Sequence, residues 1–484
     1  MSGKSIKKNY IYNLAYQILL LMTPFITTPY VSRVLLPDGV GVISFAFAVT
    51  QYFTLFAGMG IATFGRREVS YHQDNRRELT QVFWELKILA LMTSLIWFLI
   101  FITLAMIYVR NHHLVYIIFS ANILIGVAFD ASWFFAGMEE FGKLVFRNTI
   151  VKICDVVFIF LFVKSPADVP VYVFGAVFFN LMSLLSLWPE LPKYIDWPDW
   201  KALDPFRNIK IIWSLFIPSV AVQVYTVLDK LMLGVIVGSP AENGYYELAL
   251  RIARMALLVV TSLGSVMTPR IGYLFKKNEH EKILEYIYKC FKFSWFISVP
   301  MCLGLIAVSD NFVIWFFGAN YVRVASLLKI SSFLLIFIGL SYITGQYLVT
   351  TGQQNLYTIT VTIGAAVNFV FNIIFIRHYH ADGALIASVV AEAAVAFSQI
   401  YFLSDELSFV KILSCGKNYL AAGLVMFAAL RYYGSDLIST PRNTFTLIFA
   451  GAGIYFAVLL IFRDEFFIMN LSAITNRLRR KTQN

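Results

Sequence analysis

Long apolar runs dominate this chain and constrain it more than any motif. About fourteen of them reach the roughly 20 residues that a helix rising 1.5 Å per residue needs to cross hydrocarbon. They lie near 12–36, 40–62, 82–108, 114–137, 145–163, 169–188, 210–236, 244–268, 291–309, 325–349, 356–376, 383–403, 418–433 and 444–462. Short clusters of charged and turn-forming residues separate them. The pattern predicts an all-α integral membrane protein of about 14 transmembrane helices. Composition agrees, because 59% of the 484 residues are hydrophobic and 14% are charged, against about 25% charged in soluble domains. The first run follows Lys4, Lys7 and Lys8 as a signal peptide would, yet it outlasts signal length with no small-residue cleavage site. It is expected to stay as the first helix.

The loops set orientation. Lys4, Lys7 and Lys8, the loop "GRREVSYHQDNRREL", the central Lys193, Lys201, Arg207 and Lys210, "PRIGYLFKKNEHEKI" and the end "NRLRRKTQN" all fall on one face of an even-numbered bundle. The other face has only isolated Arg110, Lys164, Arg323 or Arg377. The positive-inside rule then places both termini in the cytoplasm. The net charge of +11 therefore reflects topology and does not call for nucleic acid. Cys154, Cys290, Cys302 and Cys415 are too scattered for a metal site or a disulfide framework. No cofactor is expected. A Walker loop, a Rossmann fingerprint and HExxH are all missing, and no Ser-His-Asp set follows from spacing.

The longest polar connection, "WPELPKYIDWPDWKALDPFRNIK", divides six runs from eight, and its proline and tryptophan content suits an interfacial linker. This divides the chain into an N-terminal lobe (1–205), a C-terminal lobe (206–410) and a terminal pair with a basic tail (411–484). An internal echo supports duplication: "GVISFAFAV" from Gly41 opens the second run and "GYYELALRI" from Gly244 opens the eighth. Parallel repeats are a known transporter plan.

Several stretches carry a family resemblance: "TPYVSRVLLPDGVGVISFAFAVTQYF", "WFFAGMEEFGKLVFRNTIVKI", "FIPSVAVQVYTVLDKLMLGVIVGSPAENGYYELALRI", "MTPRIGYL" and "TGQQNLYTITVTIGAAVNFVFNIIFIRHYHADGALIASVVAE". In these the chain resembles the bacterial polysaccharide flippases, the O-antigen and capsule repeat-unit transporters of the multidrug/oligosaccharidyl-lipid/polysaccharide exporter superfamily. The resemblance implies two six-helix lobes plus a terminal pair. It also implies movement of undecaprenyl-pyrophosphate-linked oligosaccharide to the outer leaflet by alternating access, coupled to H+ or Na+, among membrane lipids. A polysaccharide polymerase and a chain-length regulator are the implied partners.

Charges inside the runs cost about 2.5–3.5 kcal/mol each on insertion scales and tend to face a cavity or a partner. Arg33 lies four residues before Pro37, so it either snorkels to the headgroups or lines a cavity. Asp229, Lys230 and Arg251 fall at similar depths on consecutive runs, with Arg254 deeper and on the same helix face as Arg251. The two guanidinium groups suit a phosphate, and an Asp229 to Arg251 packing bridge is the structural alternative. Arg33, Lys230, Arg251 and Arg254 are thus the substrate-binding candidates. Asp130, Asp155, Asp229 and Glu392 are the ion-coupling candidates, although Lys152 and Asp155 are spaced to neutralise each other at i, i+3. With Glu247 counted, embedded acids and bases nearly cancel. Prolines 24, 29, 218, 269 and 300 mark hinges or shape packing, and Trp133, Phe134 and Phe135 suit an interfacial belt or sugar stacking. A drug/cation antiporter of the same superfamily, or a membrane glycan polymerase or ligase, are the other functions open to such a chain; the last lacks the large outer loop expected for glycosyl transfer.

Overall fold

The computed structural model describes residues 6–109, 111–434 and 437–472. Lys4, Arg110 and the basic end "NRLRRKTQN" lie outside them. Every regular element among the described residues is a helix, and the apolar runs fall on these helices, those at 114–137, 244–268 and 325–349 each on two. Among the described residues, nine stretches are long and apolar enough to cross a membrane. Two of those nine hold two runs each. Helix α1 (Ile6–Gly58) breaks at Leu36, with φ 60° and ψ 170°, because Pro37 disfavours helical geometry in the residue before it and offers no N–H to the preceding turn. Helix α14 (Gln354–Phe402) breaks at His380. Pro24, Pro29, Pro269 and Pro300 lie within helices that continue through them, whereas the break at Leu36 falls where the first apolar run ends, before Pro37.

Between these breaks the remaining helices are α2 (Ile61–Tyr71), α3 (Arg76–Tyr108), α4 (His113–Ala128), α5 (Ser132–Gly137), α6 (Phe141–Phe162), α7 (Val169–Leu185), α8 (Ile209–Val237), α9 (Pro240–Thr261), α10 (Gly264–Lys276), α11 (His280–Phe317), α12 (Val322–Ser331), α13 (Leu334–Thr350), α15 (Phe409–Gly434) and α16 (Pro441–Ile461). Two of them, α2 and α10, occupy stretches read as loops. Each buries one face, Ile61, Phe64 and Val69 in α2 and Met267, Ile271 and Leu274 in α10, which is the i, i+3, i+4 spacing of an amphipathic helix.

Packing divides the chain into two compact units, Met1–Gly244 and Tyr245–Asn484. The first includes the polar linker and α8, which packs on α1 and α2. Leu187, Leu191 and Ile195 of the linker are buried in the same core as Phe83, Trp133 and Phe134. Within the second unit, α15 and α16 pack against α11. The Trp295 indole donates to the Ile412 carbonyl at 3.1 Å, and Thr444 donates to the buried Asn311 amide at 2.5 Å. The terminal pair is thus part of that unit's core.

Candidate functional site

In the first unit, the half of α1 beyond Leu36 runs antiparallel to α8. Gly234 lets the Phe45 ring lie directly against α8, where an added Cβ would stand 2.2 Å from the ring, and Gln223 donates to Gln51 at 3.5 Å. Asp229 and Lys230 are each 7% exposed. Asp229 lies within electrostatic range of Tyr52, whose hydroxyl is buried with no hydrogen-bond partner among the described residues. The Asn243 side chain, in the amide orientation that satisfies both ends, donates to the Lys230 carbonyl at 3.0 Å and accepts from the Gly234 N–H at 3.2 Å. Arg33 is exposed, three residues before the break.

Of the carboxylate candidates in this unit, two have local structural duties. Asp155 accepts from Lys152 at 2.7 Å within α6. Asp130 lies one residue before the Ala131 N-cap of α5 and accepts from the Ser132 N–H at 2.7 Å. The break between α4 and α5 leaves helix-end carbonyls that need donors, and Lys87 of α3 supplies them. Its ammonium donates to the Ala128 carbonyl at 3.2 Å and to that of Asp130. The rings of Phe83, Trp133 and Trp188 surround it at 5.6–5.8 Å, a cation–π setting for a side chain 5% exposed. Trp133, Phe134 and Phe135 are buried core, neither belt nor sugar platform. Lys87 escaped the reading because a lone cation near a helix end looks like a snorkelling one.

In the second unit, Leu248, Ala249, Ile252 and Ala253 bury one face of α9. The opposite flank carries Arg251, partly exposed, and Arg254, exposed. Arg251 donates to Glu247 one turn back at 2.9 Å. Glu392 is half-buried on α14, within electrostatic range of Tyr357. Nearby runs a buried uncharged seam: Thr344 donates to Gln399 at 2.5 Å, Gln399 to Thr360 at 3.3 Å, and Asn372 to Asn368 at 3.0 Å. Scanning for embedded charges missed it, since neutral amides and hydroxyls leave hydropathy high.

Sequence comparison decides the family at this point. Residues 6–275 match the model for "Polysaccharide biosynthesis protein". The chain belongs to that family. A second model, MatE, matches residues 215–374. Among relatives of this polysaccharide biosynthesis protein, one designated an O-antigen transporter in Shigella dysenteriae is 24% identical over 379 residues, 77% of this chain and 93% of the relative. Another, from Haloferax volcanii and designated a low-salt glycan biosynthesis flippase, is 21% identical over 335 residues, 68% of this chain and 69% of its own. Among solved structures, the lipid II flippase MurJ in an inward closed conformation superposes with a TM-score of 0.74 at 16% identity, over 94% of this chain and 99% of that one. An inward-facing multidrug resistance MATE transporter of the MOP superfamily gives 0.56 at 15% identity, over 89% and 97%. The fold is the all-helical one that these transporters share.

Proposed function

We propose that this polysaccharide biosynthesis protein is a flippase, carrying undecaprenyl-pyrophosphate-linked oligosaccharide from the cytoplasmic to the outer leaflet by alternating access. The family match over residues 6–275 is the observation that carries the reading. A relative designated an O-antigen transporter and a fold similar to a lipid II flippase over 94% of the chain support it. Arg251 and Arg254 offer two guanidinium groups on the unburied flank of one helix, suited to an anionic pyrophosphate. Arg33, exposed beside the α1 break, is a separate substrate-binding candidate in the first unit. Lys230, buried on α8, is the remaining substrate-binding candidate of the first unit.

Coupling to H+ or Na+ falls to Asp229 and Glu392, because Asp130 already accepts from the Ser132 N–H and Asp155 is held in an in-helix ion pair. The protein is placed in the bacterial plasma membrane with both termini cytoplasmic and about fourteen spans, working beside a polymerase and a chain-length regulator. It performs transport and no covalent chemistry.

The test is reconstitution into liposomes with a fluorescent lipid-linked oligosaccharide and a membrane-impermeant quencher. Protein-dependent loss of protection is expected. An unchanged protected fraction, with the protein folded and correctly inserted, overturns the reading. The MatE match over residues 215–374 favours a second reading, drug/cation antiport, which predicts dye efflux from the same vesicles without lipid movement.

A further inference from the structure

The polar linker of the first unit is locked to α3 and presents tryptophans outward. Arg76, opening α3, donates to both oxygens of Asp196, at 2.8 and 2.7 Å, and to the carbonyls of Lys193, Pro192 and Ile195 at 3.1, 2.9 and 3.3 Å. One turn on, Thr80 accepts from the Asp196 N–H at 3.0 Å, and the Trp84 indole donates to the Asp196 carbonyl at 3.1 Å. A second lock follows at Glu85, which is 4% exposed. It accepts from the Asp204 N–H at 3.1 Å and pairs with Arg207 at 3.2 Å. A linker that merely tethered two bodies would need none of this.

What the locks hold in place is apolar and uncovered. Trp197 stacks on Trp84 at 5.8 Å and 17°, and Trp200 packs on it at 5.9 Å, yet the two are 82% and 62% exposed. Along α3, Leu91, Leu95, Ile96 and Leu99 are also exposed, which in an apolar span marks the lipid-facing side. Leu91 lies seven residues beyond Trp84, roughly 10 Å further up the helix. The tryptophans thus sit at the edge of the hydrocarbon-facing band, the level where amphipathic rings concentrate. Lys201, next in sequence to Trp200, is exposed and supplies positive charge for anionic headgroups.

We infer that Trp197 and Trp200 form a rigid anchor that docks into the headgroup layer of an anionic phospholipid leaflet, held there by the Arg76–Asp196 and Glu85–Arg207 locks. The anchor fixes the height and tilt of the first unit against the bilayer, and the linker moves with that unit. It rests on the membrane-spanning reading alone, so a failure of the flippase assay leaves it untouched.

The experiment uses the full chain in nanodiscs of phosphatidylethanolamine and phosphatidylglycerol, with Cys154 and Cys415 replaced by Ser. A nitroxide is placed at Trp197→Cys, Trp200→Cys or, as an aqueous control, Lys193→Cys. Collision with oxygen should exceed collision with a water-soluble nickel complex at 197 and 200, and the order should reverse at 193. Asp196→Ala should raise nitroxide mobility at 197. Greater nickel than oxygen access at 197 and 200 overturns the proposal and assigns the surface to a soluble partner. Unchanged mobility in Asp196→Ala removes the lock. Should the cysteine variants not accumulate, intrinsic fluorescence in brominated-lipid nanodiscs decides: the quenched share must fall in the Trp197→Phe, Trp200→Phe double variant, and equal quenching overturns the anchor.

Discussion

Gly41 and Gly244 meet backbone to backbone, and each lies four residues beyond a proline whose carbonyl the other approaches. A Cβ on Gly41 would stand 1.6 Å from the Pro240 oxygen, and one on Gly244 would stand 2.3 Å from the Pro37 oxygen. "PDGVG" and "PAENG" therefore form a reciprocal Pro-x-x-x-Gly contact, the structural counterpart of the echo visible in the sequence. Either glycine changed to Ala forces the two helix starts apart, with a cost of about 1–3 kcal/mol for overpacking. Gly453→Ala, where an added Cβ meets nothing within 4 Å, should be neutral or stabilising. Thermal unfolding in detergent and surface polysaccharide in a complemented null strain measure the contrast; a Gly41→Ala protein as stable and active as Gly453→Ala would remove the contact's importance.

The difference between what could and could not be read in advance follows from the same pair. Apolar runs were legible because crossing hydrocarbon demands a fixed length of greasy residues, and every predicted run is mostly helical. The contact between Gly41 and Gly244 was not, since it joins segments about two hundred residues apart and depends on atoms that glycine lacks. Direction was equally hidden. Phe129 and Phe135 lie in the same apolar run, yet one is 37% exposed and the other fully buried. Asp130 and Asp229 look alike as embedded acids, and nothing in the sequence shows that the first accepts from the Ser132 N–H at the start of α5.

Arg251 and Arg254 should tolerate replacement without unfolding, because neither side chain is buried. Losing a charge-assisted hydrogen bond to pyrophosphate costs about 1.5–3 kcal/mol, or roughly 10- to 100-fold in apparent affinity. Arg254→Ala is expected to abolish surface polysaccharide at normal protein levels. Arg254→Lys separates fork recognition from charge, with full rescue pointing to charge alone. Glu247→Gln, which frees Arg251 from its 2.9 Å pair, should leave the protein folded and shift substrate affinity; normal export from both alanine variants would take the arginines out of the site.

Lys87 answers to stability. Replacing it with Met keeps its volume among Phe83, Trp133 and Trp188 but strips the donors from the Ala128 and Asp130 carbonyls. The expected loss is about 1–3 kcal/mol for the unsatisfied acceptors, read as a lowered melting temperature. Lys87→Ala should lose more, since it adds a cavity. A melting temperature unchanged in Lys87→Met would show that the α4–α5 break holds without the ammonium.

Acid should release the linker before it unfolds the bundle. The Arg76 guanidinium, hydrogen-bonded to Asp196, holds that carboxyl below its ordinary 3.8. A depressed carboxylate contributes its stabilisation above the unfolded value and loses it as pH falls through the folded one, so the lock is intact at neutral pH and weakens only below about pH 4. Because the pair is exposed, high salt should weaken it as well. The measurement is the amide protection factor over residues 188–208, referred to the chemical exchange rate at each pH; it is expected to fall on acidification and in salt while the α11 core stays protected. Asp196→Asn removes the titration, so its linker should show low protection at every pH; a pH-dependent protection surviving in that variant would assign the release to another group.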